Sequence, residues 1–385
     1  MPKGLPSAAQ LMGQEITFFS IDTNLIRAVG FRFEEGALNQ LQRQLPGWLK
    51  LQLTEVAERE IRAQRMAPVT EAIQQFQGAA GKIGRSTGLD LAPIERAFAD
   101  MKVASSTEAI FDRQLHAFVQ RLRGSVLPIA GSGLAEAMFS RYFGEEPPFE
   151  HRKDKKFEFP DAAALLVLEM HARAHKTLGI LVSEDGGWKD FAEKSDLLYC
   201  VKSIDEFAAL FASEGPNAES VKQKIRAAAE DENSKLRASL VDELRRHIGN
   251  SEWAVGDLYS GSAHRLEGEA YSAELIDYSV DLSDVEVWFV EHDPSMCVVE
   301  LTVSAKARVD ISVEFFAWDS IDREEVGIGS NEFSADADLD VTVFLTCSGD
   351  LLADPPTAWD VDIEIAAGEY SVDVGEVNPD FSDSR

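Results

Sequence analysis

The chain has 385 residues, 45% of them hydrophobic, and a formal net charge of −30, which excludes both a single small domain and a disordered chain and predicts two or three packed domains. The charge is lopsided: from Ser251 to Arg385 about 32 Asp and Glu face about 5 Lys and Arg, while the preceding residues are close to neutral. A polyanionic surface repels phosphate, so the C-terminal stretch is excluded as a nucleic-acid grip.

Residues 1 to 14 lack a positively charged start followed by an apolar core, so they read as a loose tail and not as a secretory signal. Ile16 to Ile21 is brief, β-branched and aromatic, which predicts a buried strand ending at Asp22. A helix containing Leu38, Leu41 and Leu45 follows, closed by Pro46-Gly47. Trp48 to Leu53 predicts a second strand, with Thr54 as N-cap of a helix running through Glu60. Residues 66 to 144 show helical periodicity broken by Gly78, Gly81, Gly84, Gly88, Pro128, Gly131 and Gly133, which predicts an all-helical insert of three or four segments. Pro160 suits the entry of a long helix over Ala162 to Lys176. Leu178 to Ser183 and Leu197 to Ser203 predict further strands, with Ile204 to Phe211 as a closing helix. Strands alternating with helices imply a parallel sheet with helices on both faces.

The texture then changes. The run from Ser220 to Ile248 is charged and free of Pro and Gly, and residues 213 to 250 are expected to be a helical connector. Beyond it, Val285 to Val290, Cys297 to Ser304, Val309 to Ala317, Leu339 to Cys347 and Ala358 to Ile365 alternate in polarity and read as an antiparallel sandwich or half-barrel over 251 to 385. Cys200, Cys297 and Cys347 are few, odd in number and far apart, which points to a reducing compartment. No apolar run approaches the ~20 residues that span a bilayer, so a cytoplasmic protein without membrane contact is expected.

Four acids in the first half stand where chemistry is expected. Asp22 and Asp185 each follow an apolar strand, and the carboxyl ends of parallel strands are where ligands sit in an open α/β sheet. Carboxylates crowded there repel one another unless a hard divalent cation neutralises them. The flanks Ile21-Asp22-Thr23-Asn24, Leu53 to Ile61 around Glu60, Phe157-Glu158-Phe159-Pro160-Asp161-Ala162 and Val182-Ser183-Glu184-Asp185 resemble, in order, the four acidic blocks of the PIN domain family. Arg141-Tyr142-Phe143 through Pro147-Pro148-Phe149, with Lys155-Lys156, further resembles a bacterial PIN-like subfamily with a long helical insert. The resemblance covers residues 14 to 212 and implies a PIN-like parallel sheet with an insert over about 66 to 144, Mg²⁺ or Mn²⁺ at Asp22, Glu60, Asp161 and Asp185, and hydrolysis of single-stranded or structured RNA. It also suggests a toxin, stress-response or phage-defence setting.

Mg²⁺ takes one or two direct carboxylates and keeps its waters. Asp22 and Asp161 are the expected direct ligands, with Glu60 and Asp185 acting through water or on a second cation. Glu55 and Glu58 lie on the same helix as Glu60 and compete with it; Asp190, in Lys189-Asp190-Phe191, competes with Asp185. Asn24 either steadies a ligand carboxylate or caps the next helix. Arg152, Lys153, Lys155 and Lys156 either grip phosphate or form a solvated loop, and Arg113, Arg121 and Arg123 extend the basic track. Trp188 is a candidate for stacking on bases, whereas Phe149 and Phe157 read as core.

Other motifs fall away. His171 and His175 stand four apart, but Ala172 replaces the Glu of a zinc-protease helix. Gly131-Ser132-Gly133 lacks the remainder of any phosphate loop. Asp336, Asp338 and Asp340 alternate in a way that suggests Ca²⁺ but lack the glycine and terminal Glu of an EF-hand. For the acidic domain three readings stand: a mask over the basic face, a dock for a basic protein partner, or a scaffold that sets oligomeric state. The sequence reads first as a metal-dependent endoribonuclease and second as a non-catalytic RNA- or protein-binding scaffold with an acidic adaptor.

Overall fold

The structure, a computed structural model, describes residues 4–131, 133–149, 158–262, 265–321, 323–366 and 368–379. Two compact units divide the chain, one ending at Phe211 and the other beginning at Ala212. Among the described residues no helix is long and apolar enough to cross a membrane.

The first unit opens with helix α1 (Ala8–Met12), where Ser7 and Gln10 form a reciprocal capping box. Leu11 is buried and the Gln10 amide donates to the Tyr199 hydroxyl at 2.8 Å, so this part of the expected loose tail is tied down by contacts that come from far along the chain. Five strands follow: β1 (Ile16–Ile21), β2 (Lys50–Thr54), β3 (Ser125–Leu127), β4 (Leu178–Val182) and β5 (Leu198–Val201). All pair parallel in the order β3-β2-β1-β4-β5. The nearly unbroken apolar character of β1 and β4 follows from burial on both faces.

Around the sheet run α2 (Thr23–Ala28), α3 (Gly36–Gln44), α4 (Glu55–Thr87), α5 (Ala92–Asp100), α6 (Val103–Arg121), α7 (Leu134–Gly144), α8 (Phe159–His175), α9 (Gly186–Lys194) and α10 (Ile204–Ala209). Thr54 caps α4 as expected, its hydroxyl accepting the N–H of Ala57 at 3.2 Å. The insert departs from expectation in two ways. Helix α4 runs for 33 residues through Pro68, Gly78, Gly81 and Gly84, and ends only at Gly88, whose φ of 73° supplies the left-handed cap. Interior glycines cost about 1 kcal/mol each. Tertiary contacts offset that: Arg62 meets Asp112 at 2.8 Å, Arg65 bonds Gln114 and covers the Phe111 ring, and Phe76 stacks on Phe98. Second, the insert is not all-helical, because β3 extends the parallel sheet beside β2. Gly124 permits that approach, since a Cβ there would lie 2.2 Å from the Leu51 carbonyl oxygen. Three residues are too short a run to announce themselves by periodicity.

The second unit begins with α11 (Pro216–Glu230) and α12 (Lys235–Asn250), so the expected single connector is two helices separated at Asp231–Ser234. Val221, Ile225, Leu236, Leu240 and Leu244 form apolar stripes that pack on Val287, Val299, Leu301, Val303, Val343 and Leu345 of a sheet. The high charge of these helices masks stripes at ordinary helical spacing. After the short strands β6 (Trp253–Val255) and β7 (Leu258–Tyr259) come three long ones, β8 (Arg265–Phe289), β9 (Met296–Asp319) and β10 (Glu324–Ser348), then β11 (Asp360–Ile365), β12 (Tyr370–Val372) and β13 (Gly375–Glu376).

The antiparallel sheet has the order β11-β10-β9-β8. Cys297 to Ser304 and Val309 to Ala317, expected as two strands, are one: β9 keeps a period of two from Val299 to Phe315, with Val303, Ala305, Ala307 and Val309 all facing inward. The covering layer differs from a facing sheet. Helices α11 and α12 cover one stretch, and the parallel pairs β6·β12 and β7·β13 lie over Val309, Ile311, Val313 and Phe315. Pairing of β9 with β10 sets Cys297 directly opposite Cys347, both buried and free, so two cysteines far apart in sequence are neighbours in space.

Candidate active site

The order of the parallel sheet reverses between β1 and β4, and ligands of open α/β sheets sit at the carboxyl ends of strands beside such a reversal. Asp22 follows β1 and caps α2, its Oδ1 accepting the backbone N–H of Asn24 at 3.2 Å. Its Oδ2 accepts the Ser183 hydroxyl at 2.5 Å, and its own N–H donates to the Val182 carbonyl at 2.9 Å. Ser183 follows β4 and is 161 residues away in sequence, so this buried bond exists only because β1 and β4 are neighbours. Ser183 Oγ also accepts the N–H of Asp185 at 3.0 Å. Asp185 in turn caps α9, with Oδ1 accepting the N–H groups of Gly187 at 2.7 Å and Trp188 at 3.1 Å.

The other two acids arrive on helices. Glu60 lies in the second turn of α4, and its Oε2 accepts the Thr23 hydroxyl at 3.1 Å. Asp161 sits in the first turn of α8, where a carboxylate is favoured by the helix dipole, and its Oδ1 accepts the indole N–H of Trp188 at 2.8 Å.

Electrostatics couple the set. Burial pushes Asp161 up from 3.8 to about 6 against the opposing Trp188 bond, and the charges of Asp22, Glu60 and Asp185 push the same way. Asp22 is only 4% exposed; its carboxyl is raised by burial and by the Asp185 charge, opposed by the bonds from Ser183 and Asn24. Burial, followed by the Asp22 charge, raises Glu60 against the Thr23 bond. The Cys200 thiol is pushed up to about 12 by burial and then by Asp22 and Asp185, which makes it inert as a nucleophile. Among the described residues no three His, Cys, Asp or Glu side chains form a ready-made cation cage.

The competing acids are engaged elsewhere. Glu55 accepts the Ile129 N–H and pairs with Arg59, and Glu58 pairs with Arg62 and His116. Asp190 lies within α9 and is not among the charges acting most strongly on Asp22 or Asp161, whereas Asp185 is. Asn24 contributes its backbone N–H to Asp22, and the helix cap is Asp22 itself.

Trp188 does not offer a stacking face: it is 4% exposed and holds Asp161. Phe149 is buried, as expected of a core residue. Arg121 bonds the Phe33 carbonyl, which removes it from the expected basic track, while Arg113 and Arg123 are exposed. Arg152, Lys153, Lys155, Lys156 and Phe157 lie outside the described residues, as does Ser132 of the glycine-flanked motif. His171 and His175 pack ring to ring at 4.2 Å, with His171 edge-on to Phe18. Asp336 pairs with Arg308 and Lys306, and Asp340 accepts the Ser304 hydroxyl, all across strands rather than in a loop, so the Ca²⁺ reading is withdrawn. Sequence reasoning did not assign Ser183, Thr23 or Trp188 their parts. Each stands within three residues of a predicted acid, and that proximity is the only signal the sequence holds.

A family model described as a PIN domain matches residues 20–188, a span containing Asp22, Glu60, Asp161 and Asp185. The first unit therefore carries a PIN-like α/β domain, of a family that commonly comprises metal-dependent nucleases. No curated protein and no solved structure matches the chain.

Proposed function

We propose that the first unit is a metal-dependent endoribonuclease that hydrolyses phosphodiester bonds of single-stranded or structured RNA, in the toxin, stress-response or phage-defence setting its resemblance suggests. The observation that carries this is the burial of Asp161 beside other acids: burial first, and then the charges of Asp22, Glu60 and Asp185, raise its proton affinity to about 6. Hard carboxylate oxygens under that repulsion suit Mg²⁺ or Mn²⁺, with Asp22 and Asp161 as direct ligands and Glu60 and Asp185 acting through water. Such a cation, when bound, acidifies a water and offsets charge on the phosphate. The chain's own residues position the set: Ser183 and the Asn24 amide fix Asp22, Thr23 steadies Glu60, and Trp188 holds Asp161.

The charge of the second unit, about 32 Asp and Glu against about 5 Lys and Arg from Ser251 to Arg385, favours the second reading, a non-catalytic scaffold that this unit adapts to a basic protein partner. A hydrated Mg²⁺ takes only one or two carboxylates directly, which keeps the nuclease reading ahead. The test is hydrolysis of end-labelled single-stranded RNA by the purified chain with Mn²⁺, with and without chelator. Loss of cleavage with chelator and in both Asp22→Asn and Asp161→Asn supports the nuclease; cleavage that survives all three belongs to a contaminant and leaves the scaffold.

A further inference from the structure

A cleft of about 870 Å³ runs along the edge strand β5, from Leu198 to Val201, and reaches Ser183 just after β4; nothing in the hydrolytic reading uses it. Its walls are mainly apolar, with Leu198 from β5 and Ala209 and Leu210 at the end of α10. Ser183 lines it as well, and the Ser183 hydroxyl is the one that donates to Asp22 at 2.5 Å. One residue therefore belongs both to the cleft wall and to the carboxylate set. Among the described lining residues three glutamates stand against two lysines, so the cleft does not suit a polyanionic group such as a phosphate chain. A flat, uncharged group with polar edges suits it, because the apolar walls bury its faces and the charged rim meets its edges.

Resting on the nuclease reading, we propose that this cleft receives one unstacked nucleobase of the single-stranded substrate, next to the phosphate held at the carboxylates. A phosphodiester at Asp22 puts the neighbouring base at the Ser183 wall, and burial of that base fixes the strand's position over the reacting bond.

The test separates binding from cleavage. Binding is measured by fluorescence anisotropy on the full-length Asp22→Asn chain, with short single-stranded RNAs in which one abasic nucleotide is moved along the strand. One abasic position is expected to weaken binding about tenfold or more, the scale of one lost base contact. Adding Ala209→Trp, which fills the cleft, is expected to weaken binding of intact RNA by a similar factor and to erase the abasic penalty. Leu210→Trp is a second filling variant at a half-buried neighbour, used if the first does not fold. Equal binding of intact and abasic RNAs at every position, or an abasic penalty unchanged by a folded filling variant, overturns the cleft. A penalty erased by filling, in a chain whose wild type does not cleave, upholds the cleft while removing the nuclease.

Discussion

Carboxylates crowd two regions of this molecule under opposite physical conditions. Beside β1 and β4, Asp22, Glu60 and Asp161 are buried or half-buried with no cation among their hydrogen-bond partners in the described residues, and each is pushed toward its protonated form. On the long sheet, Asp336 is exposed and paired with Arg308 and Lys306, and its carboxyl is held below the usual range by the bonds from Arg308 and Lys306. The second unit holds most of the net charge, yet the first holds the strained set. Density of acidic residues therefore does not by itself raise a carboxyl's proton affinity; burial beside like charges does.

The sharpest way to break this contrast is Asp22→Asn. It keeps the shape and the cap of α2 while removing charge, and is expected to lower Mn²⁺-dependent RNA hydrolysis by more than about 100-fold, beyond what loss of a supporting residue costs. Single-turnover cleavage checks this, with circular dichroism to show that the fold persists. In the second unit, Leu240→Ala empties a position that is 2% exposed under α12 and should cost about 2–5 kcal/mol in denaturant unfolding of that unit. RNA hydrolysis should stay within about twofold of wild type, since the carboxylates proposed to act belong to the other unit.

Trp188→Phe removes the donor that favours the charged form of Asp161. The acid limb of the pH–rate profile should then move to higher pH, with activity down about tenfold near pH 7 and recovering as pH rises. A uniform loss across pH would mean that Trp188 acts through packing alone.

Stability provides a smaller signal of known sign. The folded chain holds the Asp161 proton up to about pH 6, against 3.8 for an unperturbed carboxyl, so the native state binds this proton more tightly and stability falls as pH rises between those values. In chelator, thermal melts of wild type should decline over that window more steeply than those of Asp161→Asn. Added Mn²⁺ should raise the melting temperature above the window and do little below it. Least affected should be Asp336→Asn, whose exposed pairs are screened by water and salt; its melting curve should overlay that of wild type.

Much of this organisation was present in the residues themselves. Short apolar runs ending at Asp22 and Ser183, the Thr54 cap and the alternation of strands with helices specified a parallel α/β unit, because burial on both faces writes itself as continuous hydrophobicity. The order of the four acidic blocks pointed to the candidate site, and the charge imbalance marked the second unit as a different electrostatic object. Local sequence did not carry the rest. Helix α4 continues past its glycines because partners on α5 and α6 hold it, β3 is a strand only because β2 offers it an edge, and the charged helices α11 and α12 belong to a core that they share with a sheet formed later in the chain. The bonds from Ser183 to Asp22 and from Trp188 to Asp161 join residues that only the packed sheet brings together. Propensity and periodicity are local energies and survive in the sequence; register, partnership and the raised proton affinity of Asp161 are long-range energies, decided when the fold placed those groups side by side and away from water.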